Sequence, residues 1–424
     1  MQKIIYAFVA VMFFMNVTVS KASLFNTGLT DTDTISVSLL TASQGKQIYE
    51  KFGHTGIRIH IPSKKFDGVY HYGLFSFEEP HFEYRFVKGE TDYMIGLMHY
   101  HDFLTMYAIR GSSVRELPLL LTQEEAHNLY EALMINMLPE NQTYRYSFLY
   151  DNCATRPLEI IKRNLTGTLI VDTTNIELPT CRNLIHECTT QDRWLTFGLD
   201  LILDGEVDEH ISLPDKPFLP HITEHIFATA KIDRGGVVEQ IATTPKEVLA
   251  ARESENKTSI LDIVTPNIFA FVVLIAVLII SIFEYKRMKH SRITDTILFA
   301  IFGILGILVY FLLLFSEHPA VSANINAMWI HPIWLVAIPF IWVRKYQKFL
   351  NCYHFINFAL LLLYLIVVAF AMQEVGVAAI LLVVVCSPVD EDCWQNILTL
   401  KPTIRRCHQS PNLLHLQIEC RYPY

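Results

Sequence analysis

The stretch Phe148-Leu149-Tyr150-Asp151-Asn152-Cys153-Ala154-Thr155-Arg156-Pro157 decides how the first half of the chain is read. A cysteine closes an apolar, aromatic run and opens a helix, since Leu158, Ile161 and Leu165 keep a helical apolar spacing beyond it. Asp151 or Asn152 can cap that helix by accepting a first-turn N–H. Pro157 fits in a turn whose N–H groups have no helical partner to lose. Cys153 therefore stands at a helix N-terminus, where free N–H groups and the positive dipole end favour thiolate, the nucleophilic form. The alternative is a buried cysteine packed as a small apolar side chain.

A cysteine nucleophile needs a base, and histidine titrates in the right range. Upstream, Phe52-Gly53-His54-Thr55-Gly56-Ile57-Arg58-Ile59-His60-Ile61 alternates strictly and reads as a strand. Thr55, Ile57, Ile59 and Ile61 would face the core, leaving His54, Gly56, Arg58 and His60 on the other face. His54, between two glycines that let substrate or backbone approach, is the candidate base. Arg58 is a candidate anion contact. His71, on the following strand, is the candidate orienting residue. A turn centred on Pro62-Ser63 would set 54 and 71 opposite each other, whereas a turn at Asp67-Gly68, the stronger turn dipeptide, would separate them. The alternation alone leaves both registers open.

Further along, Thr122-Gln123-Glu124-Glu125 is a capping box. It opens a helix with Ala126, Leu129, Tyr130, Leu133, Met134 and Met137 on one stripe, ended by Pro139. Strands mixed with helices define an α+β domain. From Leu165 to about Val264 the signals weaken to loops, a short helix near Leu184 and proline punctuation. His221 and His225 have helical i, i+4 spacing but not the His-Glu-x-x-His order of a zinc protease, and spacing suggests no third ligand, so neither a metal nor a cofactor is expected.

The chain has 424 residues, 51% hydrophobic, and a net charge of −8 without a basic stripe, which excludes nucleic-acid binding. Lys3 followed by apolar Ile4–Met15 and by Ser20-Lys21-Ala22 reads as an export signal over residues 1–22. The catalytic domain at 23–264 is then exported. In an oxidising compartment Cys181 and Cys188 could pair, leaving Cys153 as the odd thiol.

After Pro266 the composition turns apolar. Candidate spans lie at about 267–283, 297–315, 328–342 and 353–372, with a shorter run at 375–385 as a candidate fifth. Lys286-Arg287-Met288-Lys289 and Arg344-Lys345-Tyr346-Gln347-Lys348 flank alternate loops, so both basic loops are cytoplasmic and the domain before the first span lies outside. The tail from Cys386 to Tyr424 has no functional reading.

Four motifs together resemble one family. Ser38-Leu39-Leu40-Thr41-Ala42-Ser43, Phe52-Gly53-His54-Thr55-x-Ile57-Arg58, Tyr72-Gly73-x-Phe75 and Tyr150-Asp151-Asn152-Cys153-Ala154-Thr155-Arg156 look like the Lnb-type lipoprotein N-acyltransferases of Bacteroidetes. The likeness runs from about 30 to 372. The His-before-Cys order also resembles permuted papain-like folds, the NlpC/P60 and lecithin:retinol acyltransferase group. The resemblance implies an inner-membrane enzyme in which Cys153, with His54 as base, takes an acyl chain from a phospholipid as a thioester. It then passes the chain to the N-terminal lipidated cysteine of a diacylated lipoprotein. Asn152, Arg156 and Tyr72, within these motifs, are candidate substrate contacts with Arg58. Two other readings remain: a membrane-anchored NlpC/P60-like cysteine peptidase or amidase, and a non-enzymatic membrane sensor or assembly factor.

Overall fold

The computed structural model describes residues 33–386 apart from 77, 79, 172–178, 211–216, 253–258, 288–290 and 371–372. The export signal at 1–22 and the tail beyond 386 lie outside the described residues.

Seven strands form one antiparallel sheet in the order β10-β5-β1-β2-β3-β4-β6. They are β1 (Ser36–Ala42), β2 (His54–Ile61), β3 (Phe66–Leu74), β4 (Asp92–His99), β5 (Val114–Pro118), β6 (Thr143–Arg145) and β10 (Lys246–Leu249). A smaller sheet holds β7 (Thr168–Ile170), β8 (Lys231–Asp233) and β9 (Val238–Gln240). Helix α1 (Phe82–Lys88) joins β3 to β4, and α2 (Tyr100–Arg110) joins β4 to β5. Next come α3 (Gln123–Asn136), α4 (Thr155–Arg163), α5 (Cys181–Thr189), α6 (Arg193–Ile202) and α7 (Pro220–Thr229).

The alternation in β2 places Ile57, Ile59 and Ile61 in the main core, with Leu39, Tyr70, Tyr72 and Ile95 from neighbouring strands. Helices α3, α4 and α7 close that face through Leu129, Leu133, Leu158, Ile161, Ile226 and Phe227. The capping box forms as read: Thr122 Oγ1 accepts from Glu125 N–H at 3.1 Å, and Glu125 Oε2 accepts from Thr122 N–H at 2.9 Å. The opposite face, expected to be polar, is covered as well. Helix α2 lays Phe103 and Tyr107 on Leu40, Ala42, Val69 and Val114. A buried glycine in mid-strand, Gly56, allows Val69 to approach: a Cβ there would lie 2.6 Å from Val69 Cγ1, and at an ordinary contact distance of 3.5 Å from the Phe103 ring.

The β2–β3 turn settles the register. Pro62–Lys64 form a short 3-10 turn and Lys65 takes the left-handed conformation (φ 52°), so Ile61 pairs with Phe66 and Gly56 with His71. Asp67 and Gly68 lie within β3 instead of at the turn. Pairing at Ile61 keeps Ile57 opposite Tyr70 and Ile59 opposite Gly68, with Ile57, Ile59, Ile61, Tyr70 and Tyr72 on one face.

A short helix α8 (Ile260–Ile263) leads into the membrane part: α9 (Pro266–Arg287), α10 (Arg292–Phe315), α11 (Ile333–Trp342), α12 (Gln347–Ala369) and α13 (Val377–Val385). Four segments are long and apolar enough to cross a bilayer: Pro266–Arg287, Arg292–Phe315, Ile325–Trp342 and Lys348–Ala369. The third, short as read from sequence, is lengthened by a 3-10 turn over Ile325–Met328. The fifth apolar run is a nine-residue helix packed on α9. At 1.5 Å per residue that helix rises only about 14 Å, less than half a hydrocarbon core.

The two parts are bolted together on the outer side. The loop between the second and third spans docks on the end of α1. Glu317 N–H donates to Lys88 O at 2.7 Å, Ser316 Oγ to Val87 O at 3.1 Å, and a His318 ring nitrogen lies 2.6 Å from Phe86 O. Arg145 on β6 meets Glu317 at 2.9 Å. Leu149 shares an apolar cluster with Leu312 of α10 and with Ala320 and Val321.

Candidate active site

Cys153, His54 and His71 converge at one end of the sheet. His54 begins β2 and His71 lies near the end of β3, on the same face and two positions off direct register. Their rings meet edge to face, with His54 Nε2 3.1 Å from His71 Nδ1. Tyr107 stacks near the His54 ring, and Phe103 lies against His71. Cys153 arrives from the other side of the sheet, on the turn before α4. The two meet over Gly73, which sits opposite His54 at a bulge in β3 with φ +94°. A methyl group at Gly73 would be 3.5 Å from Cys153 Cβ and 3.9 Å from His54 Cε1.

Asn152 builds the cysteine turn. Its Oδ1 accepts from Ala154 N–H at 2.7 Å and Thr155 N–H at 3.0 Å, which caps α4. Its Nδ2 donates to Phe148 O at 2.6 Å and Phe218 O at 2.8 Å. Of the two capping candidates, Asn152 takes the cap and Asp151 takes Arg156, with contacts of 2.5 and 2.7 Å. The Arg156 guanidinium then lies 3.5 Å from the centre of the Tyr144 ring.

The electrostatics set the resting protonation. Burial pushes the Cys153 thiol up to about 11, although the N–H groups of Thr55 and of Cys153 itself pull it down. Desolvation thus outweighs the N–H groups that reach the sulfur and favours the thiol over the thiolate expected at a helix start. Burial also holds His54 well below its usual value, helped by His71 and by the positive charge of Arg110. His71 is brought down to about 4 by burial and by Arg110. Burial thus favours a thiol and two neutral imidazoles, and chemistry at this thiol would have to move its proton in the reacting step.

The other predicted contacts are held by the protein itself. Arg58 binds Asp67 twice at 2.8 Å and Glu116 at 2.8 Å, over the Tyr100 ring. Tyr72 is core-facing, and its hydroxyl accepts from Asn136 Nδ2 at 2.7 Å. The proposed Cys181–Cys188 disulfide does not form. Both lie in α5, seven residues or about 10 Å apart along the axis, beyond disulfide reach. Three tyrosines close to the thiol, Tyr107, Tyr144 and Tyr146, were not found from sequence. The one signal was the alternating Tyr144-Arg145-Tyr146 just before the cysteine motif.

An α+β domain with cysteine and paired histidines, fixed to the outer side of a multi-span helical bundle, defines a membrane-bound protein with its candidate chemistry in the periplasm. Residues 23–187 match the Lnb N-terminal periplasmic domain and residues 255–387 match the Lnb transmembrane domain. The chain belongs to the Lnb family, with an N-terminal periplasmic domain and a C-terminal multi-span membrane domain. Membership implies lipoprotein N-acylation and lipoprotein substrates in the membrane. No curated protein and no solved structure matches the chain.

Proposed function

We propose that the protein is a lipoprotein N-acyltransferase working through a Cys153 thioester, on a permuted papain-like domain. The observation that carries this reading is the seating of the cysteine turn on the membrane part. Leu149 packs with Leu312, Ala320 and Val321, and Tyr150 donates to Glu206, whose other oxygen accepts from Ala320 N–H. A nucleophile mounted there can meet substrates that never leave the outer leaflet. A wall peptidase has no need of such a seat.

In the productive tautomer His54 Nε2–H donates to His71 Nδ1, freeing His54 Nδ1 to accept the thiol proton. Sγ attacks the carbonyl carbon of a phospholipid ester, and the C=O electron pair moves onto oxygen. Collapse breaks the ester C–O bond, and the lysophospholipid oxygen leaves with the proton from His54. The α-amino group of a diacylated lipoprotein then attacks the thioester and gives its proton to His54. The C–S bond breaks, the amide forms, and the thiol regains the proton. Two half-reactions of this kind give ping-pong kinetics.

The test is mass spectrometry of N-terminal lipopeptides from a strain lacking its own N-acyltransferase, expressing wild type or Cys153→Ala. Triacylated peptides with wild type and diacylated peptides with the variant are expected. Triacylation by both removes Cys153 from the reaction. Diacylation in both, with folded protein present, overturns the transferase reading in favour of the peptidase.

A further inference from the structure

Tyr144 is 8% exposed, and its hydroxyl has no hydrogen-bond partner among the described residues. Leaving a buried hydroxyl unpaired costs about 1–3 kcal/mol, so a native structure that does so calls for an explanation. The ring is firmly placed. Tyr144 pairs with Tyr93 across β4 and β6, its ring lies edge-on to Tyr72 at 6.2 Å, and Arg156, pinned by Asp151, covers its face. Both neighbours place the ring beside the thiol: Arg156 lies three positions beyond Cys153, and Tyr72 precedes Gly73, where a Cβ would be 3.5 Å from Cys153 Cβ. Among charged and titrating neighbours, the Cys153 sulfur acts on it most strongly. Tyr107 and Tyr146 also feel that sulfur, but neither leaves a buried hydroxyl unpaired among the described residues.

We propose that the Tyr144 hydroxyl donates a hydrogen bond to the acyl carbonyl oxygen as Cys153 attacks it, completing an oxyanion site with the Cys153 N–H. The inference rests on the thioester reading and names a group that reading lacked. Burial holds the Tyr144 proton in place well past neutral pH, so the group serves as a donor throughout the cycle. Its unpaired state fits the task, because a donor already bonded to protein would have to break that bond in the transition state. In the first half-reaction Sγ–C forms while the C=O pair becomes the oxyanion bonded to Tyr144. In the second the same oxygen accepts that bond again as nitrogen attacks. The tyrosine proton is never transferred, so the balance of both half-reactions is unchanged.

The experiment uses the full chain in detergent, with p-nitrophenyl butanoate and its thiono analogue, in which sulfur replaces the carbonyl oxygen. Intact-protein mass spectrometry follows the Cys153 adduct. Tyr144→Phe should slow acylation by the oxygen ester about a hundredfold. Iodoacetamide labelling of Cys153 should be unchanged, and the preference for oxygen over sulfur ester should shrink. Acylation of Tyr144→Phe at the wild-type rate, with Cys153→Ala inert, overturns the role of Tyr144 and leaves the thioester reading standing. An inert wild type overturns both. Should Tyr144→Phe misfold, the wild type alone decides. A preference for the oxygen ester no greater than in uncatalysed hydrolysis overturns the proposal, and a larger one supports it.

Discussion

His54 Nε2 and His71 Nδ1 face each other at 3.1 Å across two strands, so in the proposed mechanism the group that would orient the base is a second imidazole and not a carboxylate. A neutral imidazole holds the tautomer and ring angle without adding negative charge. His71→Ala should remove that hold and lower the acyl-transfer rate about a hundredfold. His71→Gln, which restores a carbonyl acceptor, should recover most of the loss. Single-turnover formation of the acyl-enzyme measures both. Equal rates for wild type and His71→Ala would remove His71 from the catalytic group.

The resting thiol has a direct reading in alkylation. With Cys153 near 11 and His54 depressed, thiolate is scarce at neutral pH. Iodoacetamide labelling of Cys153 should therefore rise about tenfold per pH unit from pH 6 to 9. A thiolate–imidazolium pair would instead give a flat, fast rate over that range. The acid limb of acyl transfer should fall well below pH 6.5, because His54 stays a neutral base there. Site-resolved peptide mapping, with Cys153→Ser as control, separates this thiol from exposed Cys352.

Two glycines at the site should respond differently to alanine. Gly53 has φ +74°, and a Cβ there would meet Ala42 O at 2.7 Å, a backbone atom that cannot step aside. Gly73 has φ +94° but meets only Cys153 and His54 at ordinary contact distances. Gly53→Ala should lower the melting temperature more than Gly73→Ala. Gly73→Ala should cost about 1–3 kcal/mol in strain and, in addition, place a methyl group between base and thiol. Thermal melts and acyl-enzyme formation, measured on both variants, test the ordering. A Gly73→Ala protein with full activity would show that substrate does not pass over that glycine.

The site was legible where local chemistry announces itself. The helix start at Cys153 and the period-2 alternation around His54 need only neighbouring residues to be read. The β2–β3 register was not decided, because Pro62-Ser63 and Asp67-Gly68 both satisfy turn chemistry. The pairing is fixed by which register keeps Ile57, Ile59 and Tyr70 on the core face. The cover over the polar face was hidden for a related reason: α2 is only weakly amphipathic in sequence, with Phe103 and Tyr107 its two buried residues. Strands β7, β8, β9 and β10 are three or four residues long, too short for a period to register. A short helix near Leu184 was legible, but not that it runs over both Cys181 and Cys188 and holds them apart along its axis. Tyr144 could not be singled out, since its meaning lies in a hydroxyl without a partner among the described residues.

Arg182 offers a test of whether the seat on the membrane part matters for lipid substrates. It is buried, 1% exposed, and binds Asp208 at 2.5 Å, Asp200 at 2.8 Å and the Asp204 carbonyl at 2.9 Å. The segment it gathers carries the outer contacts of the bundle. Asp204 exchanges bonds with Ala320 and Ala323, Leu201 O accepts from Asn324, and Leu203 O accepts from Gln373. Arg182→Met would leave two largely buried carboxylates without their cation, at a cost of about 3–5 kcal/mol. The strain falls on the 200–208 segment and its docking, while the His54–His71 pair and Cys153 turn keep their own bonds. Transfer from phospholipid in vesicles should therefore drop much further than acylation by a water-soluble short-chain ester. Equal losses on both substrates would mean that Arg182 supports the catalytic domain as a whole. Only a selective loss on the vesicle substrate ties the seat of the cysteine turn to the handling of lipid.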